Sequence, residues 1–199
     1  MHRPLTFLLL CGLLWPAAHA DSWAPATVLA KSSGDGQFVV RVVPGKSMGD
    51  VFGYGGQPKG PYARAEWHRF NGTTYEKVRE TTLLNPIAPI TIEVTNQGVL
   101  VAIDNWHNLG IGNAVVIYSP NGQVFRKYNL LELYSMSDVE KIDRTVSSLH
   151  WRCAGFSTFL ASDTELVIDD SLGGRFVFHL DSGAFEYERD AGECRRGRL

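Results

Sequence analysis

What this chain has little of narrows it before anything else does. Cysteine occurs three times in 199 residues, too sparsely for a miniature fold built on disulfides. Neither sign of charge prevails: 19 basic and 21 acidic side chains leave a formal net charge of −2. That balance argues against a dedicated partner among nucleic acids or anionic membranes. No apolar run reaches the roughly 20 residues that a spanning helix needs, so the chain is not expected to span a membrane. Metal-ligand spacing is absent too. His68, His107, His150 and His179 form no i, i+4 pair and no Cys–His pattern, and no D-x-D-x-D-G loop occurs. The serines lack a Gly-x-Ser-x-Gly elbow. Gly45-Lys46-Ser47 is not a phosphate loop, because Val40 stands where the leading glycine belongs. No cofactor is expected, and no motif names a reaction.

What is present begins with a leader. Residues 1–20 read as a secretory signal peptide: His2 and Arg3, an apolar run over 5–14, then Ala18-His19-Ala20 at the cleavage point. A lipoprotein reading fails, since bulky Leu10 precedes Cys11. Residues 21–199 then form a single β-repeat domain, expected in the periplasm or secreted. Cys153 and Cys194 remain, and in an oxidising compartment they are expected to pair and pin the C-terminal tail to the body. The competing reading is a reactive thiol at Cys153, three residues from His150.

The body is rich in β-branched and aromatic residues, and its 20 glycines fall as turn markers. Helical spacing is confined to 130–142, where Leu130, Leu131, Leu133, Val139 and Ile142 line one face and Ser137 with Glu140 suggests a capping box. One or two short helices are expected near 130–143. Elsewhere one plan recurs three times, over units of about 27–82, 90–129 and 155–189. Each has a strand, a tight turn, a strand, a loop of varying length, a strand, a second turn and a last strand. Asn71-Gly72 and Asn121-Gly122 are strong hairpin signals, because both central residues tolerate positive φ. A lone four-stranded sheet has two faces to cover, so the units must stack. The expected class is all-β: three four-stranded antiparallel meanders in a small or incomplete propeller-like arrangement, with a sandwich or barrel as the alternative.

The segments DGQFVVRV, DNWHNLGIGNAVVIYSPNGQVFRKY and ASDTELVIDD…GRFVFHLDSG resemble uncharacterised exported bacterial proteins with propeller-type β-meander repeats. The resemblance implies a fold and an address, and no reaction.

In such a meander the loop between the second and third strands lies at the same end as the connections between units. That end gathers Asp50, Phe52, Tyr54, Asp104, Asn105, Trp106, His107, Asn108, His150, Trp151, Arg152, Asp169 and Asp170. Long loops on a rigid β scaffold are where binding residues usually sit. Trp106, Trp151, Tyr54 and Phe52 are the expected anchors, with Arg152 and Asp104 at the rim. The leading reading is an exported non-catalytic binding module that contacts a protein or cell-envelope component through this end. The alternative is a small-ligand-binding protein or hydrolase-like enzyme using Asp104, His107, His150 and Asp170, with His107 as general base. For cation binding, the acids compete with their ordinary use as turn starters. Oligomeric state is open.

Overall fold

The computed structural model describes residues 24–46, 61–153, 158–192 and 194. The expected signal peptide, Asp50, Phe52 and Tyr54 lie outside the described residues. Three four-stranded antiparallel meanders follow one another along the chain. The first comprises β1 (Leu29–Ser32), β2 (Phe38–Val43), β3 (Arg64–Phe70) and β4 (Tyr75–Thr82). The second comprises β5 (Pro89–Val94), β6 (Leu100–Asn105), β7 (Val115–Tyr118) and β8 (Val124–Tyr128). Two one-turn helices, α1 (Leu130–Leu133) and α2 (Met136–Val139), precede the third sheet. That sheet comprises β9 (Thr158–Ser162), β10 (Glu165–Asp169), β11 (Arg175–His179) and β12 (Phe185–Glu188).

The middle sheet explains why residues 99–103 read as one apolar run. Every residue of β6 is buried, because both faces of the sheet are covered. Val99, Val101 and Ile103 pack with Leu166, Ile168, Phe176 and Phe178 of the third sheet. Leu100 and Ala102 pack with Val40, Val42, Ala65 and Trp67 of the first.

Both joints have the same polarity. In β2 the side chains turned toward the next sheet belong to residues bonded to β1, a pattern set by Ser33 N–H donating to Phe38 O at 2.9 Å. In β6 they belong to residues bonded to β5, set by Thr95 N–H donating to Val99 O at 3.0 Å. The β6 residues turned back toward the first sheet bond to β7, as Asp104 N–H does to Ala114 O at 2.8 Å. Those of β10 turned back toward the middle sheet bond to β11, as Asp170 N–H does to Gly174 O at 2.9 Å. The side on which a strand residue bonds fixes the face its side chain takes. Each sheet therefore presents its front to the back of the next. Head-to-tail stacking of meanders is the arrangement of propeller blades, here over three sheets.

Two further contacts repeat from joint to joint. Gly122 (φ +78°) closes the β7–β8 turn, and a Cβ there would lie 2.9 Å from Thr81 Oγ1 and 3.1 Å from Arg79 Cδ. Gly183 (φ +68°) closes the β11–β12 turn, and its Cβ would lie 2.3 Å from Arg126 Cγ. In both, the outer strand of one sheet lays an arginine against the turn glycine of the next. Along the first turn of each unit, Asp35 N–H donates to Asn96 Oδ1 and Asn96 N–H to Asp163 Oδ1, each at 2.8 Å.

The helical segment differs from expectation in detail. Leu130, Leu133 and Ile142 are buried and Val139 packs against the same core, whereas Leu131 is 58% exposed. The capping box belongs to Asn129 and Glu132, and Ser135 rather than Ser137 caps α2. With each helix only one turn long, the chain needs a cap at both starts, so the polar residue directly before each turn is used. Cys153 and Cys194, separated by 41 residues, form a disulfide.

Candidate functional site

Asp104 ends the apolar part of β6 in a left-handed conformation (φ +59°) and is wholly buried. Its carboxylate is saturated from three directions. Oδ1 accepts from the Trp151 indole N–H at 2.7 Å and from Gly110 N–H at 2.9 Å, while Oδ2 accepts from Arg152 Nε at 2.7 Å. Arg152 Nη2 in turn donates to Thr91 Oγ1 at 3.2 Å. A charge this deep persists because a paired guanidinium and two neutral donors replace its water. Asp104 thus ties β6, the β6–β7 loop and residues 151–152 together.

Asp170 occupies the matching rung of the third sheet and is equally buried. Oδ1 accepts from Leu172 N–H at 2.9 Å and Gly174 N–H at 2.6 Å, which shapes the β10–β11 turn. Oδ2 accepts from the hydroxyls of Tyr134 at 2.9 Å and Tyr187 at 2.8 Å. Burial, and next the Asp170 charge, push the Tyr134 hydroxyl far above the ordinary phenol range. Burial and then the hydrogen bond to Asp170 push Tyr187 the same way, so both phenols remain donors at neutral pH. The stretch 151–153 runs between the two acids. Trp151 O accepts from Ser171 N–H at 2.9 Å, and Cys153 N–H donates to Asp169 O at 3.0 Å.

These placements revise the expected site. Asp104 and Asp170 belong to one buried network, yet every oxygen already has donors, and they hold loops in place. Trp151 is fully buried in the core between the second and third sheets, so it is no surface anchor. Arg152 is nearly enclosed, its side chain 11% exposed, because it must stay beside Asp104. Asn105 is buried as well: its Nδ2 donates to Ile111 O at 2.9 Å and its Oδ1 accepts from Asn85 Nδ2 at 2.9 Å. Asp169 pairs with Arg175 at 2.7 Å. Trp106 is half-buried and donates from Nε1 to Ala24 O at 3.0 Å. His107 is half-buried with φ +72°, and desolvation lowers its pKa, favouring the neutral ring. Asn108 Nδ2 donates to Ser147 O at 3.2 Å. His150 is exposed, held by its backbone N–H donating to Asp143 O at 2.8 Å. The set proposed for catalysis is therefore divided between two saturated buried acids, a half-buried imidazole and an exposed one. Among the described residues no group of three or more His, Cys, Asp and Glu side chains is placed to hold a metal ion.

The same end also carries an apolar feature. A groove of about 520 Å³ runs between the β6–β7 loop and the helices, lined by Ile111, Leu130, Leu131, Met136, Val139 and Leu149. Leu131 and Met136 are 58% and 61% exposed. The helical spacing set Leu131 on the core face with Leu130 and Leu133; the structure instead leaves Leu131 and Met136 in solvent beside the core.

No family model matches the chain, and no curated protein matches it. Among solved structures the chain is similar to the crystal structure of HIRA(644-1017), with 14% identity and a TM-score of 0.37 over 83% of this chain. The chain spans 54% of the length of that structure. No described helix is long and apolar enough to cross a membrane.

Proposed function

We propose that this chain is an exported, non-catalytic binding module that contacts a protein or cell-envelope component through its loop-rich end. The apolar groove beside α1 and α2 carries this reading. It is open, lined by aliphatic side chains with Glu132 and Asn129 at its edge, and it rests on a rigid base. Leu130, Leu133 and Ile142 anchor the helices in the core, and the Asp104 network fixes the facing loop through Gly110. A partner offering aliphatic or aromatic side chains fits such a surface, with Leu131 and Met136 as the anchors. The disulfide suits the oxidising compartment that the signal-like start and the resemblance to exported repeat proteins both imply.

The test is affinity capture of the tagged, processed chain from the envelope fraction of its host, beside the Leu131→Asp and Met136→Asp variants. A partner retained by the parent chain and lost from both variants, with unchanged thermal midpoints, is the expected result. Capture that survives both substitutions moves the contact elsewhere. A metabolite-induced thermal shift abolished by His107→Ala, with no partner captured, favours the small-ligand reading instead.

A further inference from the structure

The head-to-tail order leaves two faces that no core cluster covers among the described residues: the back of the first sheet and the front of the third. We infer that a second copy of this chain covers them, the front of the third sheet in one copy packing on the back of the first sheet in the other. Two such joints close a ring of six sheets around a two-fold axis. Blade numbers of four to eight are the ordinary range for propellers, and a head-to-tail interface closes only when its rotation returns to the start.

Three observations converge on this pairing. The first is the arginine–glycine contact at the joints. Gly122 and Gly183 each have the preceding sheet's outer strand packed against them. The corresponding turn glycine of the first sheet, Gly72 (φ +97°), would meet nothing within 4 Å of an added Cβ. The second is the space there. On the back-facing side of the β3–β4 hairpin Tyr75 is 43% exposed and the Lys77 side chain 50% exposed, where the outer strand of a preceding sheet would lie. Among the described residues no sheet precedes the first, and β12 is the outer strand with no following turn against it.

The third observation is charge. The front of the third sheet carries Glu165, Asp169, Glu186 and Glu188 against one arginine, Arg175. The back of the first carries Arg41, Arg64 and Lys77 against Glu66 and Glu80. One face has an excess of acid and the other an excess of base. Each also presents apolar side chains: Val39 and Val43 on one, Val167, Val177 and the 42%-exposed Phe159 on the other. Such a joint is more polar than the two within the chain, so it is expected to assemble and separate with concentration and to weaken in salt.

Sedimentation equilibrium of the purified, disulfide-bonded chain tests it. The expected result is a species of twice the chain mass. Lys77→Glu on the back of the first sheet and Phe159→Lys on the front of the third each change an exposed side chain and should each raise the dissociation constant roughly tenfold or more, with thermal midpoints unchanged. Mixing the two variants should restore a 1:1 pair, because each retains the face that the other has lost. A monomer at all concentrations overturns the inference. So does an open ladder of masses, or a dimer that survives both substitutions and is broken by Met136→Asp, which would place the contact at the loop-end groove.

Discussion

At the scale of single residues, Asp104 shows how a carboxylate that reads as chemistry serves as a lock. Its three donors come from Gly110, Trp151 and Arg152, two of them more than 40 positions away in the chain. Removing the acid leaves Arg152 enclosed without a counter-charge. Asp104→Ala should therefore lower unfolding stability by about 3–5 kcal/mol. Arg152→Ala should cost a similar amount, and the double variant less than the sum, measured by urea denaturation as a double-mutant cycle. An additive result would mean that the two side chains act separately. His107 adds a pH effect. Burial lowers its folded-state pKa, so the unfolded chain takes up the proton first. Its contribution is complete above the ordinary imidazole range and is lost as pH falls through that range toward the folded-state value. The parent chain should lose stability relative to His107→Gly over that interval in denaturation curves taken from pH 8 to 5. Glycine there also relieves the left-handed backbone.

At the scale of elements, the strands and turns were legible because their signals are local. Period-two alternation, Asn-Gly turns and glycine at positive φ place the strands within about two residues of where they form. The run 99–103 was legible as apolar, and burial of both faces is the reason for it. The helical segment was legible as helical but not in its contacts. A one-turn helix has no full heptad to declare its buried face, so Leu131 and Leu133 look alike in sequence, while one is exposed and the other buried. Their consequences should diverge. Leu133→Ala should cost about 2–5 kcal/mol as a core truncation, whereas Leu131→Asp should stay within about 0.5 kcal/mol and affect only capture of a partner. Equal losses from both would place Leu131 in the core.

At the scale of the whole molecule, the disulfide fastens the chain's end to the stretch that links the two buried acids. Closing a loop of this length should stabilise the fold by about 4 kcal/mol in the chain-entropy model. Cys153→Ser should lower the unfolding midpoint of oxidised protein accordingly and leave reduced protein nearly unchanged. An equal loss in both states would assign the effect to packing at Cys153. The sequence by itself determined the class, the three meanders and their turns, since these follow from backbone preferences and alternation within a few residues. Only the tertiary structure decided that the sheets stack front to back, that Trp151 lies in the core, and that Asp104 and Asp170 hold loops together. A turn-starting aspartate and a buried one carry the same letters. What separates them is the set of donors brought to each by distant segments, and that set exists only once the sheets have packed.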